Sequence, residues 1–517
     1  MDFMGNMFEN ERTKDDISEI VNKISNYDIF DFIARISGLN LMSENQNKSV
    51  LLDTLIQYVL AKEESDYVSK SKISAGKFKS IINELNSTNL SLSIDPCENV
   101  FIQNVMMGSN YRVFNGIDLT PAHNLQALIR VLFQYQNTFH EEYLRKVYRL
   151  FSLILGISEE IVRSLNIDLH NVKYDEQRMV ILPSSEAINC FAEKIVYPLD
   201  KVKGYIAEYF EIEEIVIGFG VNDTGDLDNR PFYQKPFLIN PKDNTIIILN
   251  VSLLPAFAFY KAIEWAEEYN LKKDVINSYN DYLWLESKRT LDKLGHKKIK
   301  ERTLGLECIS LDYYKEMIAT IYNNQLMIVI FLCDDGFQYP EKGIHVYYPD
   351  ERHNNIFQER INYFGEKIKE SGTPNEDWYV LIITNSFGRI IGFGVEHMPF
   401  CYKPIRLNPF ELHCISIKER NVANFFPRYI RAKSQINTMM SDVFSELNSV
   451  CIYTSNNYTF YMSDDVSMDE MNIYIAPGDS VEYISEALKD ENRILIDSYI
   501  DGEKAEVIYT DTSLQLL

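Results

Sequence analysis

Three acidic side chains flank two neighbouring apolar runs in the middle of the chain. Glu316 precedes the first run, and Asp334 and Asp335 directly follow the second. Proteins bind Mg²⁺ through one or two carboxylates together with water, and a bound cation can activate water for phosphodiester cleavage. One hypothesis is therefore a Mg²⁺-dependent nuclease site that uses Glu316, Asp334 and Asp335 as catalytic residues. The alternative is that Asp334-Asp335-Gly336 is a solvated turn at the end of a strand.

A dense run of basic residues lies just before these acids, in a molecule that is otherwise acidic. It consists of Lys288, Arg289, Lys293, Lys297, Lys298, Lys300 and Arg302. Arg289 and Lys293 are four residues apart and would share one face of a helix. Local positive charge of this kind is what phosphate recognition requires, so the run is a candidate nucleic-acid-binding surface. The alternatives are a contact with an acidic partner protein or pairing with the chain's own carboxylates.

The elements expected to position these side chains follow one another between residues 282 and 394. The periodicity predicts a charged helix over residues 282–294, ended by Gly295, and a strand hairpin over residues 316–333 that turns at Asn323-Asn324. A second helix is predicted over residues 356–370 and an apolar strand over residues 378–384. The acids at 316, 334 and 335 would then lie at the open end of the hairpin.

This order of elements resembles the restriction-endonuclease-like fold. That family cuts nucleic acid with a metal held by an acidic residue on one strand and a Glu-x-Lys on the next. The matching strands here read Met317-Ile-Ala-Thr320 and Ile328-Val-Ile-Phe-Leu-Cys333. Hydrocarbon side chains neither bind a divalent cation nor activate water, so the family's metal-binding residues do not carry over. The resemblance, which covers about a fifth of the chain, implies a degenerate nuclease-like domain.

Length and composition limit the classes of protein to be considered. With 517 residues, of which 46% are hydrophobic, the chain can form more than one core, since single cores stop growing at roughly 250–300 residues. A formal charge of -24 disfavours a protein whose whole surface coats nucleic acid. The seven cysteines include no Cys-x-x-Cys pair, which argues against a zinc ribbon and a disulfide framework. We expect a cytoplasmic protein.

No stretch of the sequence has the character of a membrane span or a signal peptide. The longest apolar runs have the length of strands, far below the roughly 20 residues that a bilayer requires. The first residues lack the basic segment and the long apolar core of a secretory signal. We therefore expect no membrane partner.

The pattern along the chain predicts an α+β multidomain protein. Apolar residues at spacings of three and four predict a helical N-terminal domain over residues 1–167. Short β-rich runs at residues 178–182, 214–218 and 245–249, with a helix over 187–194, predict a mixed α/β region over 168–277. The nuclease-like α/β domain would cover residues 278–400, and a C-terminal α/β region would cover residues 401–517.

Two functions follow as expectations. The first is an intracellular bacterial interaction or scaffold component of a multi-protein system, such as one that acts against foreign DNA, with another protein as partner and no cofactor. The second is a nuclease acting on DNA or RNA, in which Mg²⁺ binds Glu316, Asp334 and Asp335 while Lys342 or the basic run holds phosphate.

Overall fold

The computed structural model describes residues 17–42, 45, 49–67, 71–88, 120–165, 179–220 and 231–294, and beyond these mainly short strands. This described part is mixed α/β and mostly helical, with a small four-stranded sheet. The expected mixture of helices and strands is confirmed at this level. The domain boundaries near 167, 277 and 400 remain predictions.

Nine α-helices make up most of the described structure. After a helical segment over residues 17–24 they are α1 Ile29–Leu39, α2 Ser49–Leu60, α3 Ala75–Asn86, α4 Thr120–Gln134, α5 Glu141–Leu165, α6 Ser185–Lys194, α7 Leu199–Ile206, α8 Leu254–Glu268 and α9 Lys272–Lys293. At the starts of several helices, side chains accept hydrogen bonds from main-chain amides that have no partner within the helix. Asp28 accepts from Phe30 N at 3.0 Å, and Ser74 accepts from Lys77 N at 3.3 Å. Local capping therefore fixes where α1 and α3 begin.

The chain between Leu254 and Leu294 forms two helices. Asn270, which has a φ of 58°, lies between α8 and α9 and separates the two helices. Asparagine adopts this left-handed conformation more readily than most residues, which suits it to end a helix.

The four-stranded sheet lies between these helices in sequence. Its strands are β3 Val196–Pro198, β4 Val216–Ile217, β5 Phe237–Asn240 and β6 Thr245–Ile248, in the order β3-β6-β5-β4. β6 is antiparallel to both β3 and β5, whereas β4 is parallel to β5. The expected strands near residues 214–218 and 245–249 are present as β4 and β6.

The strand expected over residues 178–182 is wrong in its described part. Residues 180–184 lie in no strand. The main-chain groups of Val180 and Ile181 instead bond to the side-chain amides of Asn86 and Asn45. Side chains thus replace the neighbouring strands that a sheet would supply.

A second sheet follows α9. It contains β7 Lys297–Lys298, β8 Met317–Tyr322, β9 Gln325–Leu332, β11 Trp378–Thr384 and β13 Ile405–Leu407, in the order β13-β11-β9-β8-β7. β7, β8 and β9 pair antiparallel, and β11 is parallel to both β9 and β13. The expected hairpin is β8–β9 and the expected apolar strand is β11. The helix expected over residues 356–370 lies outside the described residues.

The remaining strands form small pairs and one short sheet. β1 Val105–Met106 pairs with β2 Arg112–Val113, and β10 Val346–Tyr347 pairs with β12 Arg389–Ile390. Near the C-terminus, β14 Cys451–Thr454, β15 Asn457–Phe460 and β16 Glu506–Ile508 pair antiparallel in that order.

Close helix packing joins the first part of the chain to α6. A Cβ at Gly38 would lie 2.8 Å from the main-chain nitrogen of Ala192. Only a glycine allows the backbones of α1 and α6 to approach this closely. Buried side chains form one connected cluster that extends from Ile17 to Leu412 and includes the described part of the second sheet.

Candidate functional site

The sheet brings three strand ends to one edge, where the acidic candidates were expected. Met317, the first residue of β8, pairs with Ile330 near the end of β9, and Thr384 at the end of β11 pairs with Leu332. Glu316 precedes β8 in sequence, and Asp334 and Asp335 follow β9. These three acids lie outside the described residues. The strand residues next to them in sequence are the ones that the register brings together.

One face of β9 is part of the hydrophobic core. Val329 and Phe331 are fully buried, and so are Leu381 and Ile383 on the neighbouring strand β11. The ring of Phe331 stacks on Trp284 of α9, with centroids 5.4 Å apart and an interplanar angle of 15°. These positions of β9 pack against a helix, and hydrocarbon there offers no ligand to a cation.

The basic run divides between a helix and a strand. Lys288, Arg289 and Lys293 belong to α9, Lys297 and Lys298 form β7, and Lys300 and Arg302 lie outside the described residues. Arg289 is exposed and pairs with Glu286, with Nη1 2.5 Å from Oε1, and Lys288 Nζ lies 5.0 Å from the Trp284 ring centroid.

Charges along α9 nearly balance. The helix carries five basic and four acidic residues. The basic ones are Lys272, Lys273, Lys288, Arg289 and Lys293, and the acidic ones are Asp274, Asp281, Glu286 and Asp292. The part of the basic run on α9 is therefore a mixed-charge helix surface, which attracts a phosphate backbone less than its sequence suggested.

A buried polar centre around Asp53 was missed by the sequence reasoning. Asp53 is 1% exposed on α2, and its carboxyl group accepts from the Asn250 amide at 3.0 Å to each oxygen. It also accepts from the Tyr233 hydroxyl at 2.8 Å and from the Asn40 amide at 3.4 Å. One signal could have found it: Asp53 interrupts the apolar run Leu51-Leu52-Asp53-Thr54-Leu55-Ile56 at a core-facing position. The cluster connects α1, α2 and the segments beside the first sheet.

A second missed cluster is centred on Lys146 of α5. Its ammonium group lies 2.8 Å from Glu214 Oε2, 3.2 Å from Glu268 Oε2 and 4.3 Å from the Trp265 ring centroid. Trp265 Nε1 also donates to Glu214 at 2.7 Å. Burial alone would raise the pKa of Glu214, but the hydrogen bond and the charge of Lys146, with further hydrogen bonds from the Glu211 main chain and Trp265, hold that pKa below its ordinary value. The cluster connects α5 and α8.

A third cluster lies at the surface between α5 and α7. The guanidinium carbon of Arg149 lies 4.5 Å from the Tyr205 ring centroid and 4.1 Å from that of Tyr209, and Arg149 donates to the Tyr209 hydroxyl at 2.7 Å. That hydrogen bond is the main reason why the pKa of Arg149 is raised. The Tyr205 hydroxyl lies 2.5 Å from Ser152 Oγ, although the side chain is 37% exposed. We call Arg149, Ser152, Tyr205 and Tyr209 the Arg–Tyr patch.

Within the described part of the chain, no three or more His, Cys, Asp and Glu side chains come together as a metal-binding group. None of the helices described there is long and apolar enough to cross a bilayer. Comparisons with protein families, curated proteins and solved structures found no match to the chain.

Proposed function

We propose that the protein is an interaction or scaffold component of a bacterial multi-protein system, and that its second sheet is a degenerate nuclease-like domain. The observation that carries this proposal is the stacking of Phe331 on Trp284. In the family that this region resembles, the matching strand carries polar residues that serve the metal. Here that strand contributes Val329 and Phe331 to a core against α9.

The Arg–Tyr patch supplies chemistry suited to a protein contact. Tyrosine and arginine are enriched among the residues that dominate binding energy at interfaces. Tyr205 is exposed, yet Arg149 and Ser152 hold it in one geometry, so a partner would immobilise little further side-chain freedom. Action against foreign DNA is one setting for such a component, and the cytoplasm is its proposed location.

The test is recovery of a partner by the tagged full-length protein from its native host, compared across matched variants. Arg149→Ala with Tyr205→Ala removes the centre of the patch, whereas Glu208→Ala changes a neighbouring exposed residue. We expect a partner that is recovered with the wild type and with Glu208→Ala, and at least about tenfold less of it with the double variant. A protein that stays monomeric and recovers no partner in any form would contradict the proposal.

A metal-dependent nuclease is the second candidate function. The register of the second sheet supports it. The first residue of β8 and the last residues of β9 and β11 meet at one edge, next in sequence to Glu316, Asp334 and Asp335. If these acids bind Mg²⁺, cleavage of DNA or RNA should require the metal and disappear in Asp334→Ala with Asp335→Ala. Metal-dependent cleavage that is unchanged in this double variant would remove both residues from the mechanism.

A further inference from the structure

A segment over residues 179–184, which lies in neither a helix nor a strand, is bound to the N-terminal part of the chain by the side-chain amides of Asn45 and Asn86. Asn86 accepts from Val180 N at 2.7 Å and donates to Val180 O at 3.0 Å. Asn45 accepts from Ile181 N at 2.8 Å and donates to Ile181 O at 3.0 Å. Each side-chain amide thus hydrogen-bonds to both the N–H and the C=O of one residue, as the partner residue in an antiparallel strand pair does.

The two asparagines belong to the helical part of the chain and are far from the segment in sequence. Asn86 is the last residue of α3, 94 positions before Val180. Asn45 is fully buried, and its amide also donates to the Leu39 carbonyl at 3.3 Å. These local contacts hold the Asn45 amide in position from the side of the helices.

Recognition of this segment depends on its main chain and on one side chain. Val180 is 3% exposed, whereas the preceding Met179 is 48% exposed and Ile181, Leu182 and Pro183 are partly exposed. Main-chain hydrogen bonds with an alternating side-chain anchor are the mode by which proteins bind extended peptides. Any extended peptide with a β-branched aliphatic residue at the Val180 position offers the same groups.

We propose that the site between Asn45 and Asn86 is a receptor for an extended peptide of a partner protein, and that residues 179–183 occupy it in cis. The inference rests on the proposed function, because it adds a second attachment point for a partner. A tethered segment competes through its high effective concentration, so a free peptide binds more tightly when the tethered segment is weakened. Partner binding at this site requires release of residues 179–183.

The test uses a fluorescently labelled synthetic peptide with the sequence of residues 177–184 and the full-length protein. Ile181→Pro in the protein removes the N–H that Asn45 accepts and leaves both asparagines intact. We expect the peptide to bind this variant about tenfold more tightly than the wild type, since one main-chain hydrogen bond changes an equilibrium by up to about that factor. A peptide with proline at the 181 position lacks the same N–H, so it should bind the Ile181→Pro variant about tenfold less tightly than the unmodified peptide and show no gain.

Equal peptide affinity for Ile181→Pro and the wild type would overturn the proposal. If the variants do not fold, hydrogen exchange of the wild-type protein tests the same proposal. The Val180 and Ile181 amides should exchange through local opening, faster than the amides of α1 and α2. Exchange of all these amides at one common rate would show that the segment leaves only on global unfolding and would also overturn the proposal. A partner that is still recovered in either case would bind elsewhere, and the proposed function would stand without this site.

Discussion

The side-chain amide of Asn250 donates to both carboxyl oxygens of Asp53, at 3.0 Å each, although 197 residues separate the two. Because this contact joins α2 to the end of the first sheet, it couples distant parts of the chain in one buried polar centre. Buried groups of this kind are stabilising only while their hydrogen bonds are made.

Asp53→Ala should therefore be strongly destabilising. The change removes the carboxylate to which the Asn250 amide and the Tyr233 hydroxyl donate inside the core, and we expect a loss of about 2–4 kcal/mol in the free energy of unfolding. Urea unfolding followed by circular dichroism measures it. Tyr233→Phe removes a single donor and should cost less, and the exposed Glu19→Ala should change stability by less than about 0.5 kcal/mol. Equal stability of Asp53→Ala and Glu19→Ala would contradict the role of the centre.

The ion pair of Lys146 with Glu214 predicts a loss of stability in acid. The pKa of Glu214 is lower in the folded state than its ordinary value, so this contribution is present above the ordinary glutamate range and is lost as pH falls through the folded-state value. Lys146→Met removes the favourable charge. The stability difference between wild type and Lys146→Met should be large at neutral pH and shrink on acidification.

Arg145→Met is the matched control for that measurement. Arg145 pairs with Glu141 at the surface of the same helix, and both side chains are exposed. Exposed ion pairs contribute little, so this variant should differ slightly from the wild type at every pH. A difference for Lys146→Met that does not depend on pH would assign its effect to packing on Trp265 instead.

The close approach of α1 and α6 predicts that Gly38→Ala is destabilising. The added Cβ would lie 2.8 Å from Ala192 N and 2.9 Å from the Phe191 carbonyl carbon, and main-chain atoms cannot move aside as a flexible side chain can. We expect a loss of about 1–3 kcal/mol. Gly156→Ala in α5 is the control, because nothing lies within 4 Å of its Cβ, and it should stabilise the helix by about 0.5–1 kcal/mol. Thermal unfolding of both variants should show shifts of opposite sign.

Buried tyrosines predict a loss of stability in alkali. Burial raises the pKa of Tyr58 to about 12 and that of Tyr148 to about 12, and it also raises the pKa values of Tyr143 and Tyr197. Unfolded tyrosines lose their protons from about pH 10, so the folded state holds more protons above that value and stability falls between about pH 10 and 12. Urea unfolding at a series of pH values measures this slope.

Tyr58→Phe isolates one contribution to that slope. The Tyr58 hydroxyl is buried without a hydrogen-bond partner in the described structure, so its removal should cost little at pH 7. Phenylalanine does not ionise, and the alkaline loss of stability should therefore be smaller in the variant. Identical alkaline slopes for wild type and Tyr58→Phe would exclude Tyr58 as a source of the effect.

For the basic run we expect no nucleic-acid complex. The charges of α9 nearly balance, and the net charge of -24 opposes long-range attraction of phosphate. An electrophoretic shift assay at about 50 mM salt, where counterion release still favours binding, is the measurement. A complex that weakens with salt and is lost when Lys297, Lys298 and Lys300 become Glu would overturn this expectation. The control exchanges the exposed Lys201, Lys203 and Lys273 for Glu, with the same change in charge.

Helices and hairpins were predictable from the sequence because their signals are local. Spacings of three and four in Leu51-Leu52-Leu55-Ile56 place one face of α2 in the core, and alternation around Asn323-Asn324 predicts the pair β8–β9. The break between α8 and α9 has a local cause too, because Asn270 adopts a positive φ, which ends a helix.

Only the tertiary structure decided which distant groups meet. The β-rich run at residues 178–182 has the composition of a strand, yet Val180 and Ile181 bond to the amides of Asn86 and Asn45, which lie 94 and 136 residues away. Likewise, nothing near Asp53 in sequence indicates Asn250 or Tyr233 as its donors. A periodic pattern reports which face of an element is buried, but the partner of a buried polar group is set by how remote segments pack, because only packing brings those segments within hydrogen-bonding distance.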